Sequence, residues 1–150
     1  SNGGMMSYAL GCYKSNLIAA IGSVSGYMLQ STSSVSESEC TPAHPIPLIK
    51  LHGTTDYYDG EGVYNSVESV LNFWVSFNNT NTEPKINNID DNGTSITNYK
   101  YENGDNDVSV EHFKIIGGEH VWFNNDFNGK NTGQLIWDFV SKYDIDGLIE

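Results

Sequence analysis

Hydrophobic residues along the chain fall into continuous runs, helical repeats and alternating stretches. Residues 17–24 (LIAAIGSV) and 45–53 (PIPLIKLHG) are continuous apolar runs, which are typical of parallel strands covered on both faces. Over residues 61–77, apolar side chains recur three and four positions apart, which predicts an amphipathic helix. Residues 94–101 and 108–116 alternate between polar and apolar positions, so they predict two further strands.

Helices are also predicted near both ends of the chain. Apolar residues at helical spacing follow the opening SNGG and predict a short helix that stops at Gly11, and residues 135–143 predict a last helix. The polar segments 31–39 and 88–93 (NIDDNG) are interpreted as a surface loop and a turn. This order predicts the α/β class, with a mostly parallel sheet, a β-hairpin excursion and flanking helices.

Side-chain positions follow from the same pattern. Trp74 and Trp137 fall on the apolar faces of predicted helices, so both are predicted to be core residues. His112 lies within an alternating strand and is predicted to face solvent, whereas His52 is predicted to pack or hydrogen-bond at a strand end.

Composition and charge narrow the possible partners. The chain has 150 residues, which is about the size of one domain, and 38% of them are hydrophobic. Its formal net charge is -12 and its pI is about 4.4, so neither nucleic acid nor an anionic membrane surface is expected as a partner. No apolar run approaches the roughly 20 residues that a membrane-spanning helix needs.

Three polar residues occupy positions where ligands bind in open α/β sheets, just beyond the carboxyl ends of strands. Asp56 is the last residue of the segment PLIKLHGTTD, and His120 is the last residue of FKIIGGEH. Ser1 precedes the first predicted helix. The chain order Ser, Asp, His is the order of the catalytic triad in α/β-hydrolases. A histidine can take the proton of a serine hydroxyl, and a carboxylate can hold that histidine in the right tautomer. Asp59 lies close enough to compete with Asp56 for the acid role.

Three motifs of the chain resemble those of a known enzyme family. The segments SNGGMM, HGTTD and GGEHVW resemble the nucleophile, acid and base motifs of the polyhydroxybutyrate depolymerase and feruloyl esterase family, and they occur in the same order. The resemblance implies Ser1 as nucleophile, Asp56 as acid and His120 as base. The chain departs from the family pattern at Phe123, where family members usually have proline.

The resemblance also implies the wider setting of the chain. Residues 1–150 would form the C-terminal part of an α/β-hydrolase catalytic domain that begins at the nucleophile. The N-terminal strands and one loop of the oxyanion hole would lie in the missing N-terminal half of the same domain, which would be a partner of this chain. The resemblance further implies a secreted or periplasmic protein that needs no cofactor or metal. This chain alone is expected to be weakly active or inactive, because loss of one oxyanion donor typically lowers the rate by ~10²–10³.

The expected reaction is carboxylic-ester hydrolysis through an acyl-enzyme, on polyesters or on feruloyl and acetyl esters of plant polysaccharides. The N–H of Asn2 is expected to bind the oxyanion, since it opens the first helix. Trp122, Tyr27 and Tyr57 are candidates for substrate binding because they lie near the predicted acid, base or strand ends, and the alternative for Trp122 is a core aromatic. The alternative is a non-catalytic module that binds a polymer or carbohydrate on a hydrolase scaffold.

Cysteine and metal chemistry leave one further question open. Cys12 and Cys40 would suit one disulfide in an extracellular protein, yet two cysteines are as often free and buried in a cytosolic one. The string DDNG lacks the alternating oxygen ligands of a calcium loop, and no histidine pair has the helical spacing of a zinc site. The sequence therefore predicts no metal.

Overall fold

The computed structural model describes residues 1–30 and 35–150. The helices and strands are α1 (Asn2–Tyr13), β1 (Ile21–Val24), β2 (Leu48–Gly53), α2 (Val67–Phe77), β3 (Lys85–Asp91), β4 (Thr94–Tyr101), β5 (Val110–Ile115), α3 (Thr132–Val140), β6 (Tyr143–Asp144) and β7 (Gly147–Leu148). Part of the predicted polar loop, residues 31–34, lies outside the described residues.

The central sheet has five strands in the order β1-β2-β5-β4-β3. β1, β2 and β5 pair in parallel, while β4 is antiparallel to both of its neighbours, so every strand except β4 runs in one direction. β1 lies at one edge and pairs only with β2 among the described residues. The predicted α/β class, with a mostly parallel sheet and flanking helices, is confirmed; the assignment to the hydrolase fold stays a prediction.

The helices cover both faces of the sheet and bury two apolar clusters. On one face α1 and α2 contribute Tyr8, Val70 and Trp74 to a cluster with Leu48 and Val110 of the sheet. On the other face Phe139 of α3 packs in a second cluster with the alternate strand residues, including Ile49, Leu51 and Phe113. The sheet is therefore buried on both sides, which explains the continuous apolar run in β2.

The helix boundaries differ from the predicted ones for local reasons. α2 begins at Val67 rather than at residue 61, because the Ser66 side chain accepts a hydrogen bond from the Ser69 N–H and caps the helix there. α1 continues through Gly11 to Tyr13, so the prediction of a stop at Gly11 was wrong. A Cβ at Gly11 would lie 3.3 Å from Ile21 Cδ1, so this glycine allows α1 to pack closely on β1.

The strands also differ from the predicted ones in length or position. The first apolar run forms a strand only over β1, and Leu17 lies in an exposed turn before it. The predicted turn at 88–93 was largely wrong, since β3 extends to Asp91. Only Asn92 and Gly93, with φ of 48° and 93°, form the turn into β4. β3 was missed because most of its side chains are exposed at the sheet edge, where the backbone pairing with β4 defines the strand.

Two side-chain placements contradict the sequence pattern. His112 was predicted to face solvent, but it is 6% exposed beneath α2 and its ring stacks on Tyr99. Trp74 is fully buried as predicted, whereas Trp137 is 63% exposed on α3, so its assignment to the core was wrong.

A disulfide links Cys12, near the end of α1, to Cys40 in the segment before β2. Both residues are buried in the cluster beneath α1 and α2, and 28 positions separate them along the chain. The bond ties the first helix to the approach to the second strand. Within the described residues, no helix is long and apolar enough to cross a membrane.

Candidate active site

The loops that follow β2 and β5 are joined by hydrogen bonds. The Thr54 N–H donates to the Ile115 carbonyl (3.0 Å), and the Gly117 N–H donates to Thr54 Oγ1 (2.8 Å). The Thr55 N–H donates to the Gly118 carbonyl (2.9 Å), which also accepts from the Thr55 hydroxyl (2.8 Å). These bonds bring the HGTTD segment and the GGEH segment together at the carboxyl ends of two parallel strands.

Glycine is required where these two loops meet. A Cβ on Gly53 would overlap the main chain of Gly118, and a Cβ on Gly118 would come within 2.9 Å of the Phe123 ring. The backbones of the two loops therefore touch directly, which explains why each motif carries a glycine at this position.

Asp56 and His120 extend from the joined loops and form a hydrogen bond. The His120 Nδ1 lies 2.8 Å from Asp56 Oδ2, and the Tyr58 N–H donates to Asp56 Oδ1 (3.1 Å). The Asp56 side chain is fully buried, whereas that of His120 is 25% exposed. A carboxylate only accepts hydrogen bonds, so the proton of neutral His120 lies on Nδ1 and leaves Nε2 free to act as a base.

His52 contacts the same carboxylate from beneath. Its Nε2 lies 3.0 Å from Asp56 Oδ2 and 2.7 Å from the Tyr27 hydroxyl. Burial, followed by the positive charge of Lys50, holds the pKa of His52 far below its usual value, so the ring is neutral. Its proton lies on Nε2, facing Asp56, so His52 donates a hydrogen bond to that carboxylate at the end of β2.

Tyr27 is 2% exposed and lies between the two histidines. Its ring stacks on His120 at a centroid distance of 6.5 Å, and its hydroxyl is bonded to His52. Burial and then the neighbouring Asp56 carboxylate raise the pKa of Tyr27, so its hydroxyl keeps its proton. Tyr27 therefore lies buried against His120, and not on the open surface where a substrate would lie.

Ser1 is exposed at the N-cap position of α1. Its main-chain nitrogen donates to the Val24 carbonyl (3.0 Å), and its hydroxyl does not cap the helix. Ser25, which follows Val24 in the chain, donates its hydroxyl hydrogen to the carbonyl of Val121, the neighbour of His120 (2.7 Å). Ser1 and the loop that carries His120 are thus attached to two consecutive residues, Val24 and Ser25, at the end of β1. Across residues 1–30 and 35–150, no hydrogen bond joins Ser1 to His120 directly.

The first turn of α1 presents unpaired N–H groups beside Ser1. Asn2 is the first helical residue, and the first main-chain bond within the helix runs from the Met5 N–H to the Ser1 carbonyl. The N–H groups of Asn2 and Gly3 precede that bond, and such groups at a helix start attract negative charge. The assignment of the Asn2 N–H as an oxyanion donor stays a prediction.

Two of the predicted substrate-binding aromatics are exposed, and a third aromatic, Tyr58, contacts His120. Tyr57 is 75% exposed and Trp122 is 57% exposed, so Trp122 is not a core residue. The Tyr58 ring makes an edge contact with His120 (4.9 Å between centroids) and also packs on Tyr57 and Tyr64. Tyr58 was not identified from the sequence, although its position two residues after Asp56 is a usable signal.

Asp59, the competing acid, has a structural contact instead. Its Oδ1 accepts a hydrogen bond from the Val67 N–H (2.8 Å) at the start of α2. It therefore supports the helix start, while Asp56 contacts the histidine. No cluster of three or more metal-ligating side chains is found in the described part of the chain.

Lys50 lies directly under this site and was missed by the sequence interpretation. It is fully buried on β2, and burial lowers the pKa of its ammonium to about 7, against the opposing effect of Asp56 and Asp59. A lysine within the apolar run PLIKLHG was the signal that could have identified it.

Comparisons with known proteins find similarity to two proteins named as esterases. No family model matches the chain. The chain is 29% identical over 155 residues to feruloyl esterase B of Piromyces equi, which covers 95% of this chain and 26% of that protein. It is 30% identical over 151 residues to the bifunctional acetylxylan esterase/xylanase XynS20E of Neocallimastix patriciarum, covering 99% of this chain and 20% of that protein. The chain thus spans about a quarter and a fifth of these two relatives.

Proposed function

We propose that this chain carries the reaction centre of a serine carboxylic-ester hydrolase, with Ser1, His120 and Asp56 as its catalytic residues. The observation that carries the proposal is the hydrogen bond from His120 Nδ1 to the buried Asp56 carboxylate, which leaves Nε2 as a base at the surface. The similarity to two proteins named as esterases supports the same reaction class.

The proposed reaction begins with attack of the Ser1 hydroxyl oxygen on the ester carbonyl carbon. His120 Nε2 takes the hydroxyl proton as the new C–O bond forms, and the Asp56 carboxylate stabilises the resulting imidazolium. The carbonyl oxygen becomes an oxyanion and accepts hydrogen bonds from N–H groups at the start of α1, with Asn2 the nearest in sequence.

The tetrahedral intermediate then collapses. The bond to the alkoxy group breaks, His120 returns the proton to the departing alcohol, and the acyl group remains on Ser1. Water repeats the sequence, with His120 again as base, and releases the carboxylic acid and the free serine. Every proton and electron pair is accounted for by these three side chains and water.

The names of the relatives guide the choice of substrate. Those proteins are named for feruloyl and acetylxylan esters, so we propose esters attached to plant polysaccharide as the first substrates to test. Exposed Tyr57, next to Asp56 in sequence, and exposed Trp122, two residues after His120, offer apolar surface for an acyl group or a polymer. Polyester hydrolysis rests only on the motif resemblance. The Cys12–Cys40 bond supports a secreted or periplasmic location, because disulfides persist in oxidising compartments.

Hydrolysis of p-nitrophenyl acetate by the full-length protein tests the proposal. Ser1→Ala is expected to lower kcat by at least about 10³-fold, because removal of a triad member leaves only the residual catalysis of the remaining site. Ser7→Ala is the matched control, since Ser7 lies on the same helix and its hydroxyl bonds only to the Gly3 carbonyl. Equal activity of Ser1→Ala and wild type would refute the nucleophile. An inactive wild type that still binds xylan would favour the carbohydrate-binding alternative.

A further inference from the structure

Lys50 is a buried amine with no carboxylate against it among the described residues. It has no exposed surface, and its Nζ donates to the Gly26 carbonyl (2.7 Å) and to the Tyr8 hydroxyl (3.0 Å). Within the described residues, no carboxylate lies within ion-pairing distance of Nζ. Burial of an unpaired charge is unfavourable, and a methionine of similar length would fill the same space. Its presence therefore points to a role other than packing.

The Gly26 carbonyl belongs to a turn that joins the elements carrying the proposed catalytic residues. Ser25 has a left-handed φ of 50° and bonds to Val121, the neighbour of His120. Gly26 abuts Gly4 in the first turn of α1, where a Cβ on either glycine would overlap the other backbone. The Ser25–Gly26 turn thus touches the helix of Ser1 on one side and the loop of His120 on the other.

The second hydrogen bond of Lys50 reaches the same helix one turn further along. Tyr8 lies four residues after Gly4, so both face the sheet from the same side of α1. The Tyr8 hydroxyl is fully buried and stays protonated, because burial raises its pKa. Lys50 therefore connects the Ser25–Gly26 turn and α1 from the strand that leads to Asp56.

We propose that Lys50 is a positioning residue for the reaction: its two hydrogen bonds fix the Ser25–Gly26 turn against α1 and so set the approach of Ser1 to His120. Lys50 touches neither substrate nor the reacting atoms. The inference rests on the proposed function, since it concerns the alignment of the proposed nucleophile and base. Misplacement of such a pair by about 1 Å can lower the rate by ~10²-fold.

Lys50→Met in the full-length protein tests the proposal. The methionine keeps the length and apolar contacts of the side chain but removes both hydrogen bonds. The expected result is a fall in kcat for p-nitrophenyl acetate of about 10- to 100-fold, with KM changed by less than about threefold because no substrate contact is lost. Lys114→Met is the matched control. Lys114 lies on β5, on the same face of the sheet as Lys50, and it is not bonded to the Ser25–Gly26 turn.

A second pair of variants keeps the test decisive if Lys50→Met does not fold. Tyr8→Phe removes only one acceptor of the Lys50 ammonium, and Ser25→Ala removes only the bond to Val121. Each is expected to lower kcat with little change in KM. Their effects on log kcat are expected to be less than additive, because both act through the same turn.

The outcomes separate this inference from the proposed function. Wild-type protein is first treated with a fluorophosphonate, and absence of labelling at Ser1 would refute the proposed function and this inference together. Labelling of wild type with unchanged kcat in Lys50→Met, or in both Tyr8→Phe and Ser25→Ala, would refute the role of Lys50 alone. A rise in KM at constant kcat would also refute it, since that result belongs to a substrate-binding residue.

Discussion

Removal of the Cys12–Cys40 bond tests how strongly the first helix is held to the rest of the sheet. The bond closes a loop of 28 residues between α1 and the segment before β2. In the chain-entropy model, cross-linking a loop of this length stabilises the folded state by about 3.6 kcal/mol at 25 °C, through restriction of the unfolded chain. A loss of that size is a large fraction of the ~5–15 kcal/mol that typically stabilises a domain.

Urea unfolding followed by tryptophan fluorescence measures this loss in Cys12→Ala, in Cys40→Ala and in the double variant. Trp74 is fully buried in the same cluster as the disulfide, so its emission reports the unfolding of that region. Each single substitution breaks the whole bond. The two single variants and the double variant are therefore expected to lose similar free energies of unfolding, differing by about 1 kcal/mol or less from lost packing.

Two results would refute this reasoning. If the losses of the single variants add up to that of the double variant, the two side chains act separately by packing and not as a bond. If the double variant loses less than about 1 kcal/mol, the loop is already constrained in the unfolded protein and the entropy argument does not apply.

Three further predictions concern the elements around the site. Gly4→Ala is expected to destabilise the protein in thermal unfolding, because its Cβ would separate α1 from the Ser25–Gly26 turn. Gly3→Ala, where a Cβ meets open space, should be neutral or stabilising by up to ~1 kcal/mol. Equal effects of the two variants would contradict the close contact at Gly4. The pKa of Lys50 falls to about 7 on folding, so above that pH the unfolded chain binds more protons than the folded one. The free energy of unfolding of wild type, measured by urea titration, should therefore rise relative to that of Lys50→Met as pH increases from about 7 towards 10. Parallel pH curves for the two proteins would contradict this lowered pKa. Asn78→Ala should lower the free energy of unfolding in urea by about 2–5 kcal/mol, since it leaves the buried N–H and carbonyl of Ile46 unpaired. A loss below about 1 kcal/mol would show that these two groups find other partners.

The joined loops explain why much of the candidate site was accessible from sequence. Asp56 and His120 each follow an apolar strand and a glycine, and the carboxyl ends of parallel β2 and β5 meet at one edge of the sheet. Their contact thus follows from local patterns together with one topological rule. Ser1 was identified from the motif after it, and its attachment to Val24 required the structure.

Other features depended on contacts that leave no local pattern. β3 has few inward side chains, so its pairing with β4 decides its conformation. Gly11 resembled a helix stop, yet its lack of a side chain serves the approach of α1 to Ile21. Lys50 and Ser25 acquire their significance only through partners at a distance, Tyr8 and Val121 among them.

The serine that reacts with a fluorophosphonate identifies the nucleophile of this protein. The full-length protein is labelled near neutral pH, digested, and mapped by mass spectrometry. We expect a single modified serine, Ser1, and loss of the label in His120→Gln, because the hydroxyl then lacks its base. A label on a different serine, or labelling of Ser1 that is unchanged by His120→Gln, would contradict it.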